Sequence, residues 1–477
     1  MSKNIKKNIP DNISENIPEN NSPSFHIPAH IPVLKLKPQR AKPFWQGESL
    51  VFSGALDPKN KDLAQVQLVL VADSDGKTLI GSGMYNPASS YRVRLLDHGK
   101  TPSTDLLEIL KKRIQESLDF RKTLGLIPNQ KNNPETHPEL SKNFTNAFRL
   151  INSEGDNLSG LTIDCYADQL VLSVTAAWVL KFKEQVLTAL LDLIPGLALD
   201  QIHWRLNKSA LKQEGALDLI SDSNPEFNPT APAAPASTAS NTSNPENILV
   251  QENGLNFLVD ITRGQKTGFY CDQRNNRENI RHLLKPSDKN PNKKFRVLDT
   301  FCYTGGFAMN AALGGADYIL GIDSSEAALG LAQENAQKNN LGEKIKFEKH
   351  DVEYFLTHLA ANTLNPPQEP FDLIILDPPK LAPSKEKIYQ AKKLYLRLNR
   401  LALKSLNPEG ILISCSCSDA FSKQDLLDTI ELAAKQADRE IEIINTQGAS
   451  PDHKLPKGAR YGDYLKVVTV RVSKKLN

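Results

Sequence analysis

The spacing of apolar positions changes several times along the chain, and each change predicts a different kind of element. Between residues 32 and 104 the apolar runs are short and alternating. Val69 to Asp73 breaks at Ser74-Asp75-Gly76-Lys77, a turn signal, and Thr78 to Tyr85 resumes the strand. Asn86-Pro87 marks a second turn. Tyr91 to Asp97 alternates like a half-buried strand, with Arg92 and Arg94 on one face. That face is either a basic surface for RNA phosphates or, more simply for two arginines, a solvated one. Over 105–125 the period becomes helical: Leu106, Leu107, Leu110, Ile114 and Leu118 recur at steps of three and four. Residues 162–177 read as a hairpin turning at Tyr166-Ala167-Asp168, and Phe182 to Leu193 as a helix closed by Pro195-Gly196. Asn253 to Ile261 reads as a strand in need of a partner.

From residue 295 onward the pattern is regular. Phe295 to Thr300, Tyr318 to Asp323, Lys344 to Lys349, Phe371 to Asp377 and Gly410 to Ser416 are apolar runs separated by helical segments. That alternation predicts an α/β fold built on a parallel sheet covered on both faces. The last candidate strand, 463–472, follows the previous one without a clear helix and is expected to insert antiparallel.

Composition narrows the class. At 477 residues, two or three domains are expected. Hydrophobic content of 39% and charged content of 24% describe a soluble globular protein. A net charge of +3 permits nucleic-acid binding without requiring it. Five irregularly spaced cysteines do not form a disulfide framework. No apolar run is long enough to span a membrane, so a cytoplasmic protein is expected. Residues 1–31, rich in Asn, Pro and Ser, read as a disordered tail without the apolar core of a secretory signal. Residues 222–246, rich in Pro, Ala, Ser and Thr, read as a low-complexity insertion.

Candidate chemistry gathers at strand ends. Asp299-Thr300-Phe301-Cys302-Tyr303-Thr304-Gly305-Gly306-Phe307 is a strand end, a glycine turn and a helix start, the arrangement a nucleotide-shaped cofactor needs. Asp323, Asp351 and Asp377 end or follow the next three strands. An acid after the second strand suits a ribose diol. For Asp351, and for Ser324-Ser325-Glu326, capping of the next helix is a serious competing role. Asp377-Pro378-Pro379-Lys380 forces the chain out of the sheet in a stiff turn that presents Asp377 to a flat ring. Ser414-Cys415-Ser416-Cys417-Ser418 ends the fifth strand. The two cysteines are expected to face opposite sides of the sheet, with Cys415 a buried apolar group. Cys417, near a helix start that favours a thiolate, is the candidate nucleophile. Neither has nearby partners for a metal site.

Together these segments resemble the bacterial large-subunit (23S) ribosomal RNA cytosine-C5 methyltransferases that carry an N-terminal PUA domain. The likeness runs from about residue 32 to the C-terminus. It rests on Gly264-Gln265-Lys266-Thr267-Gly268-Phe269-Tyr270-Cys271-Asp272-Gln273-Arg274, Phe301 to Phe307, Asp377 to Lys380 and Ser416-Cys417-Ser418, with Asn86 to Ser89 and Glu154 to Leu161 as further signatures. The family usually carries His-Pro-Trp near its start; here Lys42-Pro43-Phe44-Trp45 precedes Val51-Phe52-Ser53-Gly54. The resemblance implies a PUA-like RNA-binding domain over 32–104, a central α/β domain over 105–262, and a Rossmann-like class I methyltransferase domain over 263–477. It implies S-adenosylmethionine as cofactor, ribosomal RNA as partner, and leaves a homodimer open. By position, Asp299, Phe301, Gly305 and Gly306 match the loop around the methionine part of the cofactor. Asp323 matches the ribose acid and Asp351 the residue beside adenine. Thr267 and Gln273 fall in a stretch that packs over the cofactor. Asp377 matches the acid facing the target base, and Cys417 the cysteine that attacks it. Two other readings stand beside this one. The first is methylation of another rRNA base position, such as guanine N7, which needs no cysteine. The second is an RNA-binding assembly factor without catalysis, which predicts a damaged cofactor loop.

Overall fold

A computed structural model describes residues 30–128, 143–220, 247–262, 264–284, 292–382, 385–456 and 463–473. The tail and the low-complexity insertion expected over 1–31 and 222–246 lie almost wholly outside the described residues.

The first module is a small five-stranded sheet. Its strands are β1 (Val33–Lys35), β2 (Leu50–Val51), β3 (Gln67–Ala72), β4 (Leu79–Tyr85) and β5 (Val93–His98), with a short helix α1 (Lys42–Trp45) after β1. The spatial order is β1-β3-β4-β5-β2. Gly83 allows β4 to bulge against β5: a Cβ there would lie 2.2 Å from the Arg94 carbonyl oxygen. A separate core of Leu34, Leu36, Phe44, Val51, Val69, Val71, Ile80, Val93 and Leu95 holds the module together.

Helix α2 (Leu106–Thr123) follows, capped by Asp105, whose side chain accepts from Leu107 N and Glu108 N. The central unit sets α2, α3 (Ala177–Lys181), α4 (Lys183–Leu193) and α5 (Lys208–Gln213) around a four-stranded sheet in sequential order. Its strands are β6 (Ala147–Asn152), β7 (Leu161–Tyr166), β8 (Gln169–Val174) and β9 (Ile202–Leu206). The expected hairpin is β7–β8, with Ala167 at positive φ in its turn. The strand that needed a partner, β11 (Leu255–Val259), pairs antiparallel with β10 (Ile248–Glu252).

Arg94 departs from both sequence readings. It is neither solvated nor part of an open basic face. Its guanidinium is buried and donates to Ser159 Oγ (2.7 Å) and to Glu214 Oε1 (2.9 Å). Ser89 and Asn86 bind the same carboxylate. Sequence pattern sees one strand at a time; the side that looked solvent-facing is the side against the central unit.

After α6 (Arg274–Leu283) the third unit alternates as expected: β12 (Arg296–Thr300), α7 (Gly306–Leu313), β13 (Tyr318–Asp323), α8 (Glu326–Lys338), β14 (Ile345–Lys349), α9 (Val352–Ala360), β15 (Phe371–Leu376), α10 (Ile388–Lys404), β16 (Leu406–Ser416) and α11 (Lys423–Gln436). Two more strands complete it, β17 (Ile441–Gln447) and β18 (Lys466–Val472). The seven strands lie in the order β14-β13-β12-β15-β16-β18-β17, and the order reverses between β12 and β15. That is the switch point where open α/β sheets bind ligands. β18 is antiparallel to β16 and β17, as expected. The expectation that no clear helix precedes it was mistaken. Helix α11 and strand β17 intervene, and α11 carries a visible signal in the Ser422–Asp425 capping box and in buried Leu426, Ile430, Ala433 and Ala434. β17 is a largely exposed edge strand, so no alternation marks it.

Among the described residues no helix is long and apolar enough to cross a membrane.

Candidate active site

The glycine turn sits at the switch point. Asp299, one residue before the end of β12, is fully buried, and its Oδ2 accepts from Ala308 N (2.9 Å) at the start of α7. Phe301, Tyr303 and Gly305 all take positive φ, folding the chain back on itself before α7 begins. Gly305 has φ +80°, and a Cβ there would lie 2.8 Å from Phe347 Cζ. Gly305→Ala is therefore expected to cost about 1–2 kcal/mol in left-handed strain alone, plus the contact with Phe347. A thermal melt of that variant checks this; an unchanged midpoint would refute it. Gly306 packs against Arg277, whose guanidinium is buried in a two-point pair with Glu252.

Asp323 ends β13 beside this turn. Its two oxygens accept from Tyr303 N (3.0 Å) and Ser325 N (2.9 Å), so it also pins the turn. Burial pushes the Asp299 carboxyl well above the usual range, and the charges of Asp377 and Asp323 reinforce the shift. These three acids therefore share one electrostatic site. Asp299 Oδ1 is buried without a hydrogen-bond partner among the described residues. A buried unpaired acceptor is costly. It fits the ammonium group of a bound amino-acid moiety.

The second half lies across the switch point. Asp377 follows β15 and receives a hydrogen bond from Gln273 Nε2 (2.9 Å). Burial, then the charge of Asp272, pushes its carboxyl up to about 6, while Gln273 pulls it down. Cys417 follows the last residue of β16, half-buried, with Sγ 4.0 Å from the Pro378 carbonyl oxygen. Burial, reinforced by Asp377, pushes its thiol up to about 11, while Lys266 and Lys380 oppose the shift. Two expectations fail here. Cys417 is not at a helix start that would favour the thiolate, because α11 begins at Lys423 behind its own cap, Ser422. Nor do the cysteines face opposite ways. Side chains two residues apart share a face of a strand; Cys417 packs against the same core cluster that contains Cys415, and Asp377 raises both thiols. Cys415 is nevertheless fully buried, as expected.

Two other expected site residues are spent elsewhere. Thr267 is buried, with its hydroxyl between Asp164 Oδ2 (2.5 Å) and Tyr166 OH (2.9 Å). It anchors the 264–273 segment onto β7 rather than facing the turn. Asp351 is exposed and caps α9 by accepting from Tyr354 N (2.8 Å). The capping role weighed from sequence is the one seen.

Nothing in the sequence pattern marks Arg205. From β9 its guanidinium donates to four carbonyl oxygens, those of Ile261, Thr262, Gly264 and Lys266, at 2.6–2.9 Å. It fixes the 264–273 segment so that Tyr303 OH reaches Gly268 O (3.3 Å) and Tyr270 packs edge-on to Tyr303. Lys266 is thereby held against Asp272 (2.6 Å), close enough to bear on Cys417. An arginine in a half-exposed strand has no spacing that reveals such a role.

A small β-rich module, a switch-point glycine turn and acids at three strand ends define a methyltransferase with an appended PUA-like domain. Family models agree: a PUA-like domain matches residues 34–98 and a methyltransferase domain matches 291–461. The ribosomal RNA large subunit methyltransferase I of Tolumonas auensis is 32% identical over 437 residues, 91% of this chain and 98% of that one. The Escherichia coli protein of the same name is 31% identical, covering 92% and 99%. The chain belongs to the ribosomal RNA large subunit methyltransferase I family. A solved Streptococcus mutans structure covers 93% of this chain and 100% of its own with a TM-score of 0.68 at 21% identity, which shows the shared fold.

Proposed function

We propose that this protein methylates carbon 5 of a cytosine in large-subunit ribosomal RNA, with S-adenosylmethionine as donor and Cys417 as a transient covalent nucleophile. The observation that carries the reading is the placement of a thiol, Cys417, beside an acid, Asp377, across the switch point from the glycine turn. In this reading residues 32–104, 105–262 and 263–477 divide RNA binding, support and catalysis, and the enzyme works in the cytoplasm.

Carbon 5 of cytosine is a weak nucleophile until a thiolate adds at carbon 6. When bound, S-adenosylmethionine supplies an electrophilic sulfonium methyl group to the carbon so activated. Asp299, Asp323 and the 301–306 turn hold the donor. The raised Cys417 thiol needs somewhere to send its proton. Asp377 accepts it and passes it to N3 of the base, so the thiolate forms only as the ring takes up charge. Sulfur bonds to carbon 6, and the ring electrons move to carbon 5. After methylation, loss of the carbon 5 proton to a base, expulsion of the Cys417 thiolate and return of the N3 proton through Asp377 to the sulfur restore both ring and thiol. Lys380 stands where some related enzymes have a second cysteine after the proline, and it is paired with Asp419 (2.5 Å). Release in this reading does not use that position. The base must leave any helix to reach the site.

This scheme requires Asp377 as a carboxylate. Activity should fall as pH drops through about 6, and Asp377→Asn should remove that limb along with most turnover. The sign for stability is opposite. Because the folded carboxyl sits above its unfolded value of 3.8, folding favours its proton, and stability is lost as pH rises from about 4 through 6. Asp377→Asn should therefore melt higher than the parent at pH 7.5. A pH-rate profile without an acid limb near 6 would remove Asp377 from the scheme.

A further inference from the structure

A cavity of about 410 Å³ opens where the first module meets the central unit, outside the site described above. That volume lies in the usual range for a ligand pocket, about 300–1,000 Å³. Its walls include Tyr91, Arg94 and Glu48 from the first module, Glu154 from the central unit, and Tyr464 from the third. Tyr464 joins it to the catalytic region, since its hydroxyl donates to Asp272 Oδ2 (2.6 Å), the acid that holds Lys266. Tyr464 therefore links the wall of this cavity to the segment that holds Lys266 near Cys417.

The polar groups in it are unequal. The nearby Glu214 is fully used by Arg94, Ser89 and Asn86. Glu48 uses only Oε1, on Leu50 N, and Glu154 uses only Oε1, on Ser159 Oγ and Arg94. One carboxylate oxygen on each is without a partner among the described residues. Arg94 Nε is a buried donor without an acceptor among them. Tyr91 offers a ring, braced by Phe52 at 5.0 Å and by the Arg94 guanidinium at 5.1 Å. The cavity thus pairs an aromatic platform with spare carboxylate acceptors and one unmet cationic donor. Its carboxylates disfavour a phosphate against the wall, so the cavity suits a base whose phosphate stays outside in solvent. Single-stranded RNA is read by bases stacked on aromatic rings and bonded on their edges.

We infer that this cavity is a second base subsite that takes an unpaired guanine of the substrate RNA. Guanine alone joins adjacent N1–H and 2-amino donors on one edge with O6 and N7 acceptors on another. Uracil offers a single donor, and cytosine and adenine offer an amino group without the neighbouring N–H. The inference rests on RNA as substrate and not on the cytosine chemistry of Cys417.

The test is equilibrium binding of guanosine, adenosine, cytidine and uridine 5′-monophosphates to the full chain, up to about 10 mM. It uses the parent, Tyr91→Ala, Glu154→Gln and Cys417→Ala. GMP should bind tighter than UMP by at least tenfold. Tyr91→Ala and Glu154→Gln should each weaken GMP at least tenfold at unchanged melting temperature, and Cys417→Ala should leave GMP binding intact. With ribosomal RNA as substrate, Tyr91→Ala should raise KM severalfold at unchanged kcat. Equal binding of the four nucleotides, GMP binding unaffected by Tyr91→Ala, or no saturable GMP binding would each overturn the assignment. Loss of methylation in Cys417→Ala with GMP binding intact separates this inference from the catalytic one.

Discussion

Cys417→Ala should abolish methyl transfer, with turnover reduced by at least about 10³-fold, while S-adenosylmethionine binding and the melting temperature stay near the parent values. The thiol lies just past the end of β16 in a loop fixed from three sides. Lys466 Nζ donates to Ser418 O (2.7 Å), Ala382 N donates to Ser418 Oγ (3.1 Å), and Tyr395 OH bonds Ser416 Oγ (2.9 Å). The substitution removes one half-buried sulfur and none of these bonds, so a lost activity reports chemistry and not folding. RNA carrying 5-fluorocytosine should trap the parent as a stable protein–RNA adduct, because carbon 5 then has no proton to lose. Cys417→Ala should form none, and Cys415→Ala should still form it. Mass spectrometry of the product RNA decides the matter. Appreciable 5-methylcytosine from Cys417→Ala, or a methyl group on another atom, would end the covalent reading.

Arg121→Ala should destabilise the protein by about 3–5 kcal/mol. Arg121 has no exposed surface, yet its guanidinium is fully matched. Nη1 and Nη2 donate to the two oxygens of Asp156, each at 2.8 Å, Nη2 also reaches Asp452 O (2.6 Å), and Nε reaches Arg149 O (2.8 Å). Alanine would leave buried Asp156 with only the Asn152 N–H (2.7 Å) and the more distant Lys454 ammonium (4.0 Å) to meet its charge, which is where most of the cost arises. Lysine should recover little, since one ammonium cannot make both parallel bonds. Removing the acid as well, in Arg121→Met with Asp156→Leu, should regain part of the loss. Urea unfolding monitored by circular dichroism gives the number. A loss below about 1 kcal/mol for Arg121→Ala would show that this pair does not hold α2 to the rest.

These two cases mark what sequence could and could not reveal. The inner parallel strands β13 and β15 were legible because a strand buried on both faces is apolar nearly throughout. Asp299, Asp323 and Asp377 were legible because strand ends are where an acid has no packing reason to stand. Cys417 is singled out by position alone, and its ionisation was misjudged, because the thiol pKa depends on burial and on Asp377, which is 40 residues away in the chain. Arg94, Arg121 and Arg205 were invisible as structural residues. Each is a charge whose partner lies on another element, and a charge in a strand or helix looks the same from sequence whether it meets water or a buried carboxylate. The anchoring of Thr267 was hidden for the same reason: its partners, Asp164 and Tyr166, come from the β7 hairpin.

The insertion of β18 between β16 and β17 bears on timing. The last of the described strands lies second from one edge of the sheet, and its Lys466 clamps the loop carrying Cys417. Pairings between distant segments come late, because chain entropy must be surrendered before they form. A chain folded only as far as α11 already has the Ala382 and Tyr395 bonds to this loop but lacks the one from Lys466, so the last of the three supports around Cys417 arrives with β18.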